Sequence, residues 1–343
     1  MSIQVFRYLG DGAEWDQYVR GQPQWTHFHL HGWRSVIEGV FNHECIYLGA
    51  RSSTGALEGI LPLVRVRSMM FGHFLVSMPF VNYGGPLGSE RAVRALCEES
   101  VRIAKADRVQ LLELRSRQPL ATPLPASHRK ITMLLDLPQS DDLLWRSLPS
   151  KLRSQVRKPQ KEGVDVRIGL DELDPFYEVF AQHMRDLGTP TQSRAFFEAI
   201  ARAFPNDVRF ACAYFEGQPI ACGCGFLWAS EFEITWASAL RSHKHLAANM
   251  LVYWTLMQRA IVDSARVFNF GRCTPGSNTH RFKMQWGARD EALWWYQRSA
   301  RGMEASETPS PDQSRYALAT RIWRRLPISM TRRFGPAIVR YIP

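Results

Sequence analysis

The order of apolar segments in the second half of the chain constrains the fold more than any other feature. Helical periodicity and strand-like alternation follow one another there in a regular order. Two short helices, a strand and two longer helices come first, at 141–148, 150–158, 164–168, 173–187 and 194–204. A meander of three strands, a long apolar helix and two more strands follow, at 208–215, 219–228, 231–240, 249–262, 267–270 and 293–297. This order predicts an α+β domain whose mixed sheet is flanked by helices.

The first half follows a shorter version of this pattern. Its predicted elements are a helix, two pairs of strands with a second helix inside the second pair, and a final strand, at 33–41, 45–51, 59–66, 75–80, 91–104, 109–115 and 131–137. Because 343 residues are too many for one ordinary core, we predict two domains and a tail. The predicted boundaries are 1–138, 139–300 for the domain with the main site, and 301–343 for a linker and tail.

Composition describes a globular chain. Hydrophobic residues make up 45% of it, and no run of about 18 apolar residues is present that would span a bilayer. The segment after Met1 lacks the features of a signal peptide, so we expect a cytoplasmic protein. The six cysteines are scattered and predict neither a zinc site nor a disulfide framework. Cys222 and Cys224 share one face of a strand, which predicts that both are buried.

The segment 268–288 combines cations, glycines and hydroxyls between two predicted strands. The cations are Arg272, Arg281 and Lys283. Three glycines allow close backbone approach, and three hydroxyls add hydrogen-bonding groups, at Gly271, Gly276, Gly287, Thr274, Ser277 and Thr279. Such a segment is suited to an anionic ligand. A basic surface loop has the same composition for reasons of turn chemistry and solvation, and stands as the alternative.

Four motifs relate the chain to a known family. They lie at Lys151–Lys158 (KLRSQVRK), Met184–Pro190 (MRDLGTP), Asn249–Trp254 (NMLVYW) and Phe268–Ala288 (FNFGR with RFKMQWGA). The order of elements in the second half is that of GNAT-type acyltransferases, and two such domains in tandem form the FemAB peptidyltransferases. Over about residues 1–300 the chain resembles the FemAB-like branch found with PEP-CTERM/exosortase and exopolysaccharide systems. The resemblance implies two tandem GNAT-like domains, the first of them degenerate.

The resemblance also implies an activity. This activity is transfer of an acyl or aminoacyl group to an amine or hydroxyl of a cell-envelope or exopolysaccharide precursor, by direct attack on the bound donor. The donor is aminoacyl-tRNA or acyl-CoA, and no metal is expected. In acetyl-CoA enzymes the turn before the main helix reads Arg-x-x-Gly-x-Gly/Ala and holds pyrophosphate by backbone amides. Here Arg241–Leu246 places Lys244 and Leu246 at the glycine positions, which argues against conventional acetyl-CoA binding.

Candidate site residues follow from these motifs. The catalytic candidates are Asp186 for proton handling, Tyr253 as a hydrogen-bond donor, and Arg272 and Lys283 facing the donor or acceptor. An Asp186 that pairs with Arg185 and a Tyr253 that belongs to the core are the alternatives. Candidates for substrate or donor binding are Arg153, Arg157, Lys158, Trp236, Ser238, Arg241, Lys244, Asn249, Thr279, Arg281 and Trp286. Arg153 and Arg157 share one helix face, as a phosphate-binding ridge or as a solvated basic surface.

Three histidines alternate at His27, His29 and His31. On a strand they would share one face and suggest zinc, but the segment leads into a helix and no thiol or carboxylate follows at ligand spacing. We therefore predict no metal site here.

The C-terminal 31 residues, 313–343, contain seven arginines and no acidic residue. Apolar residues between the arginines predict one or two basic amphipathic helices, broken at Pro327 and Pro336. Such helices suit an anionic membrane surface, and hence a peripheral position at the inner membrane. A helix docked on the body of the protein is the alternative. For the whole chain, the alternative functions are an acyl-CoA dependent N-acyltransferase with a remodelled donor site and a non-catalytic module that binds a polymer or partner.

Overall fold

The computed structural model describes residues 3–299 and 317–342, which divide by their contacts into two units. In unit 1 the described residues are 3–131, 292–299 and 340–342, and in unit 2 they are 132–291 and 317–339. The expected division was 1–138, 139–300 and a separate tail. The contacts instead group 292–299 with the first unit and 317–339 with the second.

The secondary structure is as follows in chain order. Residues 3–136 contain β1 (Ile3–Arg7), α1 (Gly12–Arg20), α2 (Gly32–Phe41), β2 (Glu44–Ser52), β3 (Leu57–Ser68), β4 (Gly72–Ser77), β5 (Leu87–Gly88), α3 (Glu90–Ala106), β6 (Leu111–Ser116), β7 (Ala126–Ser127) and β8 (Ile131–Asp136). Residues 141–262 contain α4 (Asp141–Ser147), α5 (Ser150–Lys161), β9 (Asp165–Gly169), α6 (Leu173–Leu187), α7 (Arg194–Ala203), β10 (Val208–Phe215), β11 (Gln218–Trp228), β12 (Glu231–Ala239) and α8 (Ala248–Val262). The remaining elements are β13 (Val267–Cys273), α9 (Asn278–Met284), β14 (Arg289–Ala292), β15 (Trp294–Ser299), α10 (Ala317–Trp323) and α11 (Ile328–Val339). Two 3-10 turns cover His27–His29 and Arg241–Leu246.

The described strands of unit 1 form one mixed sheet. Its order is β1-β2-β3-β4-β6-β15-β7, with β5 paired to β3. Strands β1 to β4 are antiparallel neighbours, whereas β4 and β6 run parallel and are connected through α3. The predicted strand 75–80 ends early, at Ser77, because Met78 and Phe80 have φ of 51° and 71°, which an extended strand does not accommodate.

Helix α3 packs its apolar face on this sheet. Ser89 caps the helix by accepting a hydrogen bond from the N–H of Ala92. Ala92 and Leu96 are fully buried. A Cβ on Gly59 of β3 would lie 2.7 Å from the Cβ of Ala92, so glycine at this position allows the helix to approach the strand closely.

The described strands of unit 2 form a second mixed sheet with the order β14-β8-β13-β12-β11-β10-β9. The predicted meander is confirmed as antiparallel β10, β11 and β12. Strand β13 lies parallel to β12, and α8 connects the two. The two sheets with their helices confirm the α+β class.

Two strands near the predicted boundaries pair differently from the prediction. Strand β8, expected at the end of the first domain, lies between β14 and β13 in the sheet of unit 2. Strand β15, expected as the last strand of the second domain, pairs with β6 in the sheet of unit 1. Alternation in a sequence shows that a segment is a strand, but it does not name the partner strand.

Two further expectations need correction. Part of the basic segment is helical, because Ser277 accepts a hydrogen bond from the N–H of His280 and starts α9. Helix α11 continues through Pro336, although the break at Pro327 is confirmed. Burial of Thr331, Gly335 and Val339 along one face holds α11 in place, and tertiary packing of this kind outweighs a proline's loss of one hydrogen bond.

Among residues 3–299 and 317–342, no helix combines the length and the apolar character that crossing a bilayer requires.

Candidate functional site

The pairing between β12 and β13 ends before either strand does. Their parallel register covers three residue pairs, from Glu231–Val267 to Glu233–Asn269. Strand β12 nevertheless continues to Ala239 and β13 to Cys273. Beyond the last pair the two facing edges form no ladder with each other. Strand edges in this state can bind an extended ligand through main-chain hydrogen bonds.

A β-bulge lies where the two strands part. Cys224 pairs with Trp236 and Gly225 pairs with Ile234, so Thr235 is the extra residue of β12. The Oγ1 atom of Thr235 is buried and has no hydrogen-bond partner among the described residues. Bulges redirect backbone and side-chain groups and are frequent next to active sites. Thr235 therefore offers polar groups that the regular sheet does not use.

The side chain of Lys283 is buried beside the C-terminal end of β13. It is 3% exposed, and its Nζ donates hydrogen bonds to the carbonyl oxygens of Gly271 at 2.6 Å and Arg272 at 3.1 Å. Burial lowers the pKa of Lys283 to about 8, and the charge of Arg272 lowers it as well, while Cys273 and Glu233 act in the opposite direction. The ammonium group is therefore charged at neutral pH and loses its proton just above it.

A buried polar network lies at the point where the strands part. The Oδ1 atom of Asn269 accepts hydrogen bonds from the hydroxyl of Thr132 at 2.6 Å and from the N–H of Gly271 at 2.8 Å. Its Nδ2 donates to carboxylate oxygens of Glu231 at 2.7 Å and Glu233 at 3.2 Å. The side chains of Thr132, Glu233 and Asn269 are completely buried. One amide thus holds two carboxylates, a hydroxyl and the backbone of β13 at Gly271 in a fixed geometry.

The turn that precedes α8 presents cations instead of glycines. Arg241 and Lys244 are exposed on the 3-10 turn, and Asn249 is half-buried in the first turn of the helix. Ala247, which joins the turn to α8, has φ of 56°, a left-handed conformation that costs free energy for any residue with a Cβ. Its N–H donates to the carbonyl of Lys244.

Comparisons with known proteins agree with this topology. Residues 146–284 match the family model described as an acetyltransferase (GNAT) domain. Unit 2 has the GNAT fold. The chain is similar to the crystal structure of FemX, with 14% identity, coverage of 86% of this chain and 97% of that chain, and a TM-score of 0.67.

Two other solved structures have similar folds. One is the C-terminal domain of a putative lysylphosphatidylglycerol synthetase from Agrobacterium fabrum, with 12% identity, coverage of 85% of this chain and 93% of that chain, and a TM-score of 0.55. The other is a tandem GNAT protein from the clavulanic acid biosynthesis pathway, with 11% identity, coverage of 89% and 100%, and a TM-score of 0.50. The expected architecture of tandem GNAT-like units is thereby confirmed at the level of fold. No curated protein sequence matches the chain.

Several candidates of the GNAT domain gather around β13 and α9. The ring of Tyr253 is buried among aromatic rings. Its centre lies 5.6 Å from the ring centre of Phe270, 5.0 Å from that of Phe282 and 6.3 Å from that of Trp286. Burial raises the pKa of Tyr253 well above its usual range, so its phenol stays protonated. The indole Nε1 of Trp286 is buried and has no hydrogen-bond partner among the described residues.

Other candidates in the same segment lie at the surface. Thr279 and Arg281 are exposed on α9, and the Arg281 guanidinium donates to Asn278 at 2.8 Å. Arg272 is half-buried at the end of β13. Thus Lys283, Arg272, Tyr253 and Trp286 lie on the inner side of this segment, whereas Thr279 and Arg281 lie on its outer side.

The ridge predicted on α5 faces solvent in part. Lys158 is exposed and Arg153 is half-buried. The guanidinium of Arg157 lies 5.0 Å from the ring centre of Trp145, a cation–π contact. Leu152 and Val156 form the buried side of the helix. Arg157 therefore has a structural contact besides any role in phosphate binding.

Asp186 lies at the end of α6, where its carboxylate forms an ion pair with Arg185, with 2.8 Å between Oδ1 and Nε, as the alternative for this residue expected. His183 lies one turn earlier and was not among the candidates. Its Nδ1 is buried without a hydrogen-bond partner among the described residues. Burial lowers the pKa of His183, Asp186 raises it and Arg241 lowers it. An unpaired imidazole nitrogen is thus present near the candidate acid.

Trp236 and Ser238 of β12 have different surroundings. Trp236 packs edge-on against Phe196 and Phe197 of α7, at 5.8 Å and 5.3 Å between ring centres. Ser238 is buried opposite Cys222 of β11. Cys222 and Cys224 are buried free thiols, as predicted.

Unit 1 contains a cleft of its own, about 210 Å³ in volume, in front of α3. Tyr83, Gly84, Gly85, Arg115 and Arg117 are among its lining residues, and the guanidinium of Arg117 lies 5.4 Å from the ring centre of Tyr83. A Cβ at Gly85 would lie 2.8 Å from the carbonyl oxygen of Arg115, so only glycine permits this approach. The cleft offers aromatic, cationic and main-chain polar groups together.

The three alternating histidines do not converge, and among them His29 lines this cleft. The Nε2 of His29 lies 3.1 Å from the carbonyl oxygen of Gly85, and its Nδ1 accepts from the N–H of Thr26. Burial lowers the pKa of His29 to about 4, so the imidazole is neutral. His31 instead packs against Tyr47. In the part of the chain that the structure describes, no cluster of three or more His, Cys, Asp or Glu residues forms that could hold a metal ion.

Sequence reasoning did not select Thr235, Glu231, Glu233, Asn269, Thr132 or His183 as site residues. Polar side chains inside apolar strands were the available signal, since Glu233 and Asn269 interrupt otherwise hydrophobic runs. The bulge has no such signal, because a threonine is ordinary in a strand.

Gly225 tests the bulge of the GNAT domain. A Cβ at Gly225 would overlap the backbone carbonyl oxygen of Glu233, which cannot move without displacing β12. We expect Gly225→Ala to lower the free energy of unfolding by about 1–3 kcal/mol, measured by urea denaturation. Gly223→Ala is the matched control on the same strand. Its Cβ would meet flexible side-chain ends, with Leu256 Cδ1 at 3.0 Å, so a smaller loss is expected. Equal losses would contradict the importance of the bulge.

Proposed function

We propose that this protein transfers an acyl or aminoacyl group to an amine or hydroxyl of a cell-envelope or exopolysaccharide precursor. The observation that carries the proposal is the parted strand pair β12–β13, with the bulge at Thr235 and the buried ammonium of Lys283 beside it. An extended donor arm fits between two strand edges of this kind, because their main-chain groups can bond to it.

The acceptor attacks the carbonyl carbon of the bound donor directly. A new C–N or C–O bond forms, the ester or thioester bond of the donor breaks, and the proton of the acceptor passes to the departing hydroxyl or thiol. Two N–H groups of Lys283 bond to backbone carbonyls, and the third is directed to the oxyanion of the tetrahedral intermediate. Arg272 adds positive charge near the oxyanion. Asp186 is the group that carries the acceptor's proton to the departing hydroxyl or thiol.

Aminoacyl-tRNA is the donor that the turn before α8 favours. A pyrophosphate cradle needs backbone amides that approach the ligand closely, which bulky residues at Lys244 and Leu246 impede. Exposed cations such as Arg241 and Lys244 suit the phosphates of a nucleic acid. One structural neighbour is named as a putative lysylphosphatidylglycerol synthetase. The alternative donor is acyl-CoA.

The cleft of unit 1 is the proposed binding site of a phosphorylated or sugar-containing molecule. Arg117 and the ring of Tyr83 beside it suit a phosphorylated or sugar-containing molecule, whereas the guanidinium of Arg115 is buried in an ion pair with Glu113. The precursors of envelope and exopolysaccharide polymers have this chemistry, and the exosortase-associated resemblance points to the latter. A cytoplasmic position at the inner membrane would give access to them.

Native mass spectrometry with charged tRNA and, separately, with acyl-CoAs tests the donor. We expect the protein to retain charged tRNA, because the turn presents side-chain cations. Replacement of Arg241 and Lys244 by alanine is expected to weaken retention about tenfold or more at low salt. Arg94→Ala, an exposed arginine of unit 1, is the control. Retention of acyl-CoA alone would support the CoA-dependent enzyme, and retention of neither would support a non-catalytic binding module.

A further inference from the structure

The two C-terminal helices have one side that packs on unit 2. Helix α11 buries Thr331, Gly335 and Val339. A Cβ on Gly335 would lie 3.0 Å from the backbone nitrogen of Thr191, so the helix lies directly on that loop. The guanidinium of Arg332 also lies 5.7 Å from the ring centre of Tyr177 on α6. The tail is thus held on the protein body along this side.

Arginine side chains add to this attachment. Arg324 donates from Nε and Nη2 to the carbonyl oxygen of Leu187, at 3.2 Å and 3.1 Å. Arg332 donates to the carbonyl oxygen of Glu178 at 3.4 Å. These contacts fix the orientation of both helices.

The rest of the helix surface carries large apolar side chains that are partly exposed in the described part of the protein. The exposed fractions are 66% for Leu318, 54% for Ile322, 41% for Met330 and 49% for Phe334. Leu318 and Ile322 are four residues apart on α10, and Met330 and Phe334 are four residues apart on α11, so each pair shares a helix face. Exposed apolar side chains grouped in this way mark an interaction surface.

Positive charge surrounds these apolar pairs. Arg321, Arg325 and Arg333 are exposed, and the sequence from 313 to 343 contains no aspartate or glutamate. A partner must therefore offer both an apolar phase and negative charge. An anionic bilayer does so, because its headgroups attract arginine and its acyl chains accept leucine, isoleucine, methionine and phenylalanine.

We propose that the exposed side of α10 and α11, defined by Leu318, Ile322, Met330 and Phe334 with Arg321, Arg325 and Arg333, binds the surface of an anionic lipid bilayer. The helices lie in the headgroup region and unit 2 stays outside it. A nucleic acid would satisfy the arginines but leave the apolar side chains in water. The proposal does not depend on the acyl-transfer activity, since binding is measured without substrate.

Vesicle co-sedimentation of the full-length protein tests this surface. Vesicles of phosphatidylglycerol and phosphatidylcholine in equal amounts are compared with phosphatidylcholine alone. We expect binding to the anionic vesicles that weakens as salt is raised. Replacing Leu318, Ile322, Met330 and Phe334 by serine is expected to lower the partition coefficient about tenfold or more. Replacing Arg321, Arg325 and Arg333 by glutamine is expected to lower it about a hundredfold at low salt.

The matched control uses two methionines in unit 1. Met69 and Met70 are 109% and 83% exposed at the turn between β3 and β4, and their replacement by serine should leave binding unchanged. Because every substituted side chain is exposed, circular dichroism should show an intact fold for all three variants. The proposal is overturned by undiminished binding of the apolar variant, by equal binding to uncharged vesicles, or by loss of binding only in the Met69/Met70 variant. Self-association through this face without vesicle binding, seen by size-exclusion chromatography, would overturn it as well.

Discussion

Replacing Lys283 by methionine is expected to lower acyl transfer at least about 100-fold while the protein remains folded. The substitution removes the buried cation beside the end of β13 and keeps a similar apolar volume. Relief from burying a charge opposes the loss of the two hydrogen bonds to the carbonyls of Gly271 and Arg272, so we expect a lower midpoint of thermal unfolding but a folded protein under assay conditions. The measurement is single-turnover transfer from the donor that the protein retains, together with a thermal melt.

The pH dependence of transfer distinguishes the roles of Lys283. Its pKa is lowered to about 8, so the ammonium form prevails below that pH and is lost above it. If the charged form stabilises the oxyanion, transfer should decrease as pH rises through 8. In Lys283→Arg, which keeps its charge at all accessible pH values, this decrease should be absent even where the rate is lower. A rate that increases through pH 8 would instead identify the neutral amine as a base and contradict the proposed role.

Replacing Asn269 by leucine is expected to lower the free energy of unfolding by about 3 kcal/mol or more. Leucine has a similar volume but removes the buried hydrogen bonds that Asn269 makes with Thr132, Glu233 and the N–H of Gly271. Buried polar groups that lose a partner carry the full cost of leaving water. Chemical denaturation measures the change, and the loss of the hydrogen bond that fixes the backbone at Gly271 should reduce acyl transfer in parallel.

Asn278→Leu is the matched control for this substitution. Asn278 is exposed on α9. Its side-chain oxygen accepts a hydrogen bond from the exposed Arg281, which is the side-chain contact described for it. Its replacement should change stability by no more than about 0.5 kcal/mol. If Asn269→Leu were tolerated equally well, the network around Asn269 would not be what fixes the junction of β12 and β13.

The sequence predictions were accurate where a feature depends on residues close together in the chain, and they failed where it depends on residues far apart. The hairpin of β10 and β11, the long helix α8 and the buried Cys222 and Cys224 depend on periodicity and turn chemistry, and they were correct to within a residue or two. The polar network around Asn269 joins residues 132, 231 and 269. Side chains so far apart in the chain show no relation until the fold brings them together.

The number of cations in the basic segment did not show which of them lie at the candidate site. Of the three cations in the basic segment, Lys283 is buried and bonded to two carbonyls, Arg272 is half-buried, and Arg281 is exposed. The helix α9 produces this separation, because Arg281 and Lys283 are two residues apart and point to different sides. In the turn that the sequence predicted, Arg272, Arg281 and Lys283 would all have faced the same ligand.

By itself the sequence determined the α+β class, the order of helices and strands, the two-part organisation, and the basic, apolar character of the C-terminal helices, because these are properties of local periodicity and composition. Only the tertiary structure decided that β8 pairs in the second sheet and β15 in the first, that the pairing of β12 and β13 stops beside a bulge, and that Lys283 is buried there. The physical reason is that strand partners, bulges and the desolvation of a charge are set by contacts between residues distant in sequence. No local pattern encodes these contacts.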